Sequence, residues 1–408
     1  MTLAGSFPRV RLAWILQAVL WLVASSVLSA QQPAPSDPPL PIPPVRIDAV
    51  VTDAQGRPIL DLRPSDFELL DNGSAKPIVG VELRTAPRGG AVDAGPIASE
   101  ADEERAARQP GARVFAFVLD EFHTSPGAST ARLREAMTQF IDRNLGPQDL
   151  AVVMKPLDSV ASIDFTRDRT VLQRVVDGFT GRKGDYAPRS RFEEQYIGRA
   201  PAAVKAARIQ IVTAALRELT LRLGDLKADR GVLVLFSEGF PRDSTGGRNR
   251  VSDLQGVVRA SGRFHLATYT FNPAAPQDDA APAERERATA MLQWLAEQTG
   301  GRAVEADGFA AGLARLASDT QTYYALTYQP SEGDGRFHSI DVRAKRKNVQ
   351  VRARPGYWAP LDSDMRALLA ASSRLPAISS RGLKRSPLIE AWVGLVGEAD
   401  GRTRLVIS

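Results

Sequence analysis

Three histidines and no cysteine limit the chemistry open to this chain of 408 residues. The histidines, His123, His265 and His338, lie far apart in sequence, and no HExxH, GxxxxGKS/T, GxGxxG or GxSxG occurs. Without cysteine there are no disulfides, thiolate nucleophiles, iron–sulfur clusters, cysteine zinc sites or lipid-modified cysteine anchors. What remains is oxygen chemistry at the ends of apolar runs. Asp120 ends the run Val114–Leu119, and Ser237-Glu238 ends Val232–Phe236. Ser237 beside Glu238 has the residue types of a nucleophile and a base, but no histidine neighbours them, so a hydrolase of unrecognised type is the least supported class. His123, close to Asp120, reads either as an unusual ligand or as an exposed loop histidine. Arg343–Lys347 with Arg352 and Arg354 reads as the wet face of a β hairpin rather than a site for an anionic polymer. Tyr323, Tyr324, Tyr328, Tyr357 and Trp358 read as sandwich core and sheet edge.

Lysine and arginine number 52 against 47 acids, a net charge of +5, and removing Arg9 and Arg11 leaves +3 for the chain beyond residue 30. That bias is too weak to argue for nucleic acid. Arg9 and Arg11 precede LAWILQAVLWLVASSVL at 12–28, with small residues to Ala30. This is the order of a secretory signal over 1–30; the alternative is an uncleaved anchor, the one expected membrane contact. The expected location is secreted, periplasmic or envelope-bound. Residues 31–44, QQPAPSDPPLPIPP, form a stiff polyproline spacer.

The elements that must position Asp120 and Glu238 follow from hydrophobic patterning. Residues 45–84 read as a β flank, with strands at Val45–Val51, Asp66–Leu70 and Pro77–Leu83 and a hairpin turn at Asp71-Asn72-Gly73. Residues 85–112, rich in alanine, glycine and arginine, read as a linker. From 113 to 322, strands buried on both faces are expected at Val114–Leu119, Leu150–Met154, Val232–Phe236 and His265–Phe271, with a short strand at Arg302–Glu305 and an edge strand at Val160–Phe165. Leu133, Met137, Phe140 and Ile141, spaced i, i+4, i+7, i+8, mark one amphipathic helix among several between these strands. The alternation predicts an α/β domain with a doubly wound, mostly parallel sheet. Residues 323–360 return to β, with strands at Tyr324–Tyr328, His338–Ala344 and Val349–Arg354. Each flank is small for a stable core, so the expected packing joins them as one β-sandwich with the α/β domain inserted; two independent β pieces are the alternative. Residues 361–408 read as a loop and a strand–turn–strand, which either joins the sandwich or opens a truncated further domain.

This succession resembles the von Willebrand factor type A domain. Asp120 in VLDEFHT, the strand GVLVLFSEGF and the segment QTGGRAVEADG carry the resemblance over about 111–322, and VVTDAQGRPILDLRPSDFELLDNG and TYYALTYQPSEGDGRFHSIDVRAKRKNVQVRARPGYW extend it to about 45–360. The chain is similar to secreted bacterial A-domain-related proteins common in acidobacteria. The resemblance implies a Rossmann-like fold and a non-enzymatic role in adhesion or protein binding, with another protein as partner. It also implies a metal-ion-dependent adhesion site at the carboxyl end of the sheet, whose first loop reads D-x-S-x-S in the family and whose oxygen ligands suit Mg²⁺. Carried over residue by residue, Asp120 matches the first aspartate, Thr124 the second serine, and Glu238 the aspartate after the fourth strand. Phe122 stands where the first serine belongs, and Thr180 is the candidate for the third-loop threonine. Phe122 has no oxygen to give, so the site is degenerate, and Mg²⁺ binding and a metal-free site both stay open.

Overall fold

The structure is a computed structural model describing residues 42–86, 95, 97–197, 200–240, 250–275, 282–331, 333–361, 366, 393–397 and 403–407. The expected signal at 1–30 and most of the proline-rich spacer lie outside the described residues, as do parts of the 85–112 and 361–408 segments. Among the described residues no helix is long and apolar enough to cross a membrane.

The chain runs through Val45–Asp53 (β1), Phe67–Asp71 (β2), Ser74–Lys76 (β3) and Ile78–Thr85 (β4) into an α/β region. There Arg113–Leu119 (β5), Leu150–Met154 (β6), Arg230–Phe236 (β7), Ala267–Asn272 (β8) and Ala303–Glu305 (β9) alternate with helices. It returns through Thr322–Tyr328 (β10), Phe337–Ala344 (β11), Val349–Arg352 (β12) and Gly356–Trp358 (β13). Among the described residues Val393–Gly397 (β14) and Thr403–Ile407 (β15) pair with each other as a two-stranded antiparallel sheet.

The apolar runs form a five-stranded parallel sheet, ordered β6-β5-β7-β8-β9. Phe115, Phe117 and Leu119 pack on one side with Leu133, Leu172 and Leu313 of the helices Ala128–Arg143, Arg169–Asp177 and Phe309–Gln321. Val114, Ala116 and Val118 pack on the other with Leu216, Val257 and Leu292 of Pro201–Asp225, Arg250–Phe264 and Pro282–Gln298. Helices on both faces explain why these strands show no alternation. β5 is followed by β6 on one side and by β7 on the other, so chain order reverses between β5 and β7; a crevice is expected at their carboxyl ends. The arrangement is α/β and compatible with a Rossmann-like fold.

The expected edge strand at Val160–Phe165 is a 3-10 turn over Val160–Ser162 and a single antiparallel bridge, Ala151 to Thr166. The N–H of Phe165, which an edge strand would give to a ladder, donates instead to the buried Glu103 carboxylate at 3.0 Å. Glu103 belongs to a helix, Glu100–Ala107, that stands inside the expected linker. Ser99 caps this helix by accepting from the Asp102 N–H, and Glu103 is ion-paired with Arg222.

The flanks pack as two antiparallel sheets, β12-β1-β10-β4 and β13-β11-β2-β3, each containing strands from both ends of the chain. Ile47, Leu69, Tyr324, Leu326, Ile340 and Val342 share one core. The expected return strand Pro77–Leu83 is divided. Ser74–Lys76 completes the hairpin on β2, whose turn holds Asn72 and Gly73 at positive φ. After Pro77, which has no N–H for a ladder, β4 crosses to the other sheet and pairs with β10. Asp71 bonds the two sheets together: its carboxylate accepts from the Tyr328 hydroxyl at 3.0 Å and pairs with His338 Nδ1 at 2.9 Å. Burial alone would push His338 down; the hydrogen bonds to Asp71 and Asp334 outweigh it, and the net shift is upward.

The basic hairpin divides too. Arg343 and Arg346 are exposed and paired with Asp341 and Asp61. Arg352 and Arg354 are not on a wet face: Arg352 reaches Asp319, and Arg354 donates to the carbonyls of Gly262 and Arg46. That side of β12 faces the α/β body instead of solvent, and a period-two pattern cannot distinguish the two.

Candidate functional site

β5 delivers Asp120 to the carboxyl end of the sheet, where its N–H continues the ladder to Phe236 at 3.0 Å. The side chain then caps the 3-10 turn Glu121–His123, Oδ1 accepting from the N–H groups of Phe122 (3.1 Å) and His123 (3.2 Å). Oδ2 pairs with His123 Nδ1 at 2.8 Å and accepts from Ser237 Oγ at 2.7 Å. Asp120 is 0% exposed, so these contacts replace water. His123, expected as an exposed loop histidine or a ligand, is a half-buried partner of Asp120 that also packs on Phe240, with ring centroids 4.9 Å apart. The order serine–aspartate–histidine leaves no imidazole to accept the Ser237 proton, unlike a nucleophile–base–acid relay.

β7 delivers Glu238, whose N–H donates to the His123 carbonyl at 2.8 Å. Oε1 accepts from the Ser125 N–H (2.8 Å), and Oε2 accepts from Ser125 Oγ (2.9 Å) and from Lys183 Nζ (2.7 Å). Glu238 is buried, while the Lys183 side chain is 37% exposed. Lys183 comes from the loop after the helix Arg169–Asp177, and that loop is stitched to the first. The Lys183 N–H donates to Thr124 O, the Arg182 N–H to Glu121 O, and the Gly181 N–H to Thr130 Oγ1. Gly181 permits this approach, since a Cβ there would sit 2.3 Å from the Thr124 carbonyl oxygen. Thr180, the third-loop candidate, lies beside Arg134 on this loop and makes no contact with Asp120 or Glu238 in the hydrogen-bond network.

Asp120, Thr124 and Glu238 therefore meet at the ends of adjacent strands. As a set they do not fit a divalent cation. Each Asp120 oxygen already serves two donors, and Glu238 serves three, one of them an ammonium. Among the described residues Thr124 Oγ1 is buried without a partner, one oxygen against the several that Mg²⁺ requires. Among the described residues no group of three histidines or acids could hold a metal ion.

Phe122 has a different task. It is 2% exposed, with the Arg208 guanidinium 4.8 Å and the Arg182 guanidinium 5.5 Å from its ring centroid. Arg182 forms a bidentate pair with Glu193 (2.7 and 2.8 Å), while burial and then the neighbouring Arg182 push Arg208 below its ordinary range. Burial raises Glu121 beside this cluster. The sequence pattern showed none of Lys183, Arg182, Glu193 or Arg208; the one available signal was the aromatic residue at Phe122, which needs neighbours to cover it.

No protein-family model matches the chain, and no curated protein matches it.

Proposed function

We propose that the chain is a secreted or envelope-associated, non-enzymatic protein-binding module, built on a von Willebrand A-type domain with a degenerate metal-ion-dependent adhesion site. The observation that carries this reading is the convergence of Asp120, Thr124 and Glu238 from two loops at the point where strand order reverses. Loops cross-linked by hydrogen bonds and carrying a part-exposed lysine suit recognition of a partner's acidic side chain, because little order has to be imposed on binding. The buried serine hydroxyl, bonded to a carboxylate, gives no support to a hydrolase. The N-terminal signal pattern supports export.

A second reading, a metal-free structural scaffold of the envelope, draws on the full engagement of both carboxylates. Immobilised wild-type protein and the Lys183→Glu variant, both challenged with envelope extract, separate the two. The binding reading expects specific partners retained by wild type and lost by the variant, with circular dichroism unchanged. Identical partners on both would remove this face from the function.

A further inference from the structure

At the opposite, amino-terminal end of the parallel sheet, the sandwich meets the α/β body around a cavity of about 20 Å³. Asp48 of β1, Arg230 of β7, His265, and Arg352 and Arg354 are in its wall. His265, expected as the first residue of a strand, precedes β8 at a φ of 56°.

Charge does not balance in this wall. Asp48 already serves Arg46 at 2.8 Å and Arg230 at 3.0 Å. Arg352 is held by Asp319. Arg354, 8% exposed, donates only to backbone carbonyls, and no carboxylate pairs with it among the described residues. Asp48, already shared by two other arginines, is the charge that favours the Arg354 guanidinium, and it does not offset burial, which holds Arg354 down to about 10.

Hydrogen bonding does not balance either. Among the described residues the Nε–H groups of Arg230, Arg352 and Arg354 are buried without an acceptor. A guanidinium can only donate, so what these groups lack is an acceptor carrying negative charge. Space selects its size. One water needs roughly 10–15 Å³ on this measure, so the space holds a single-atom anion.

We propose that this cavity is a chloride site that pins the sandwich to the α/β body. The ion supplies the missing acceptor to guanidinium groups that come from both parts, Arg230 from the body and Arg354 from the sandwich.

Two measurements on the intact chain test this. Crystals grown in sodium bromide should show an anomalous scattering peak among Arg230, His265 and Arg354; a water molecule there, or no peak, overturns the proposal. Thermal unfolding in sodium chloride should give a saturable rise in Tm over sodium gluconate at equal ionic strength. The same curve in both salts would mean simple screening and would also overturn it. In Arg354→Met the chloride-specific rise should vanish, and its persistence counts against the site. If that variant does not fold, the bromide and paired-salt measurements on wild type decide the matter.

Discussion

At the carboxyl ends of β5 and β7, Asp120 and Glu238 have a donor for every oxygen; at the amino ends, Arg230, Arg352 and Arg354 each keep an Nε–H without an acceptor. Both regions are buried and belong to one sheet, so burial does not explain the difference. Chain distance does. The partners of Asp120 come mostly from the turn it caps, and those of Glu238 from loops already stitched to that turn. At the seam, Asp48, Arg230, His265 and Arg354 arrive from segments far apart in sequence. Local matching satisfies both carboxylates, whereas docking two pre-shaped surfaces leaves both donors and an acceptor unmatched among the described residues: the Nε–H groups of Arg230, Arg352 and Arg354, and Asp319 Oδ1. The crevice where open α/β sheets commonly bind ligands is thus occupied at Asp120 and Glu238 by the protein's own groups, while among the described residues Thr124 Oγ1 and the Nε–H groups of Arg182 and Arg208 beside it stay without partners.

The sharpest way to break the contrast is Asp120→Ala. It strips the acceptor from four donors in a water-free site, and loss of one side of a buried charged network costs about 3–5 kcal/mol. The urea midpoint should fall accordingly, with an unchanged slope. At the seam the corresponding probe is pH. Burial, and then Arg354, push the His265 imidazole from 6.5 down to about 4. Above pH 6.5 the folded and unfolded chains are both neutral there. Between pH 6.5 and 4 the unfolded chain takes up a proton that the folded chain refuses, so stability falls with pH, by at most about 3 kcal/mol, and levels off below pH 4. His265→Gln should remove that slope, read as the difference between the two proteins' urea midpoints across the window.

Smaller effects sharpen the comparison. Gly181→Ala drives a Cβ against the Thr124 carbonyl, which is backbone and cannot swing aside, for a cost of about 1–3 kcal/mol. Lys183→Met should cost about 1 kcal/mol or less, because the lysine is part-exposed. Its value lies in metal response. Millimolar Mg²⁺ should leave the wild-type Tm unchanged and raise it in Lys183→Met, where Glu238 Oε2 loses its ammonium partner and keeps only Ser125 Oγ. A rise in wild type would mean that the lysine does not hold that oxygen against a cation.

How much of this was legible in the sequence depends on whether a signal was local. Val114–Leu119, Leu150–Met154 and Val232–Phe236 read as doubly buried strands because uninterrupted apolar runs have few other uses, and the structure places all three in the parallel sheet. Asp120 and Glu238 were expected together only through the strand adjacency that the A-domain resemblance implies, and β5 does pair with β7. The helix Glu100–Ala107 escaped because its buried anchor is a glutamate, which patterning counts as solvated; Ser99 ahead of Asp102 was the missed capping signal. Arg352 and Arg354 alternate just as wet-face residues would, and only the covering body turns them into buried cations. Lys183 was beyond reach for another reason: its partner Glu238 is 55 residues away, and no period links them.

The interleaving of the flanks bears on the order of assembly. β1 pairs with β10 and β12, β4 pairs with β10, and the Tyr324 hydroxyl bonds the Ile59 carbonyl across 265 residues. Among the described strands, β1 and β4 are therefore made early and gain these neighbours late, since all of the α/β body is made before β10 exists. Closing so long an interval adds little to the equilibrium cost, because that cost grows only logarithmically with length; it is paid in time, as slow non-local pairing. Until then β1 and β4 expose unpaired edges of the kind that recruit other chains, so during biosynthesis the N-terminal flank is the part of this protein most in need of protection.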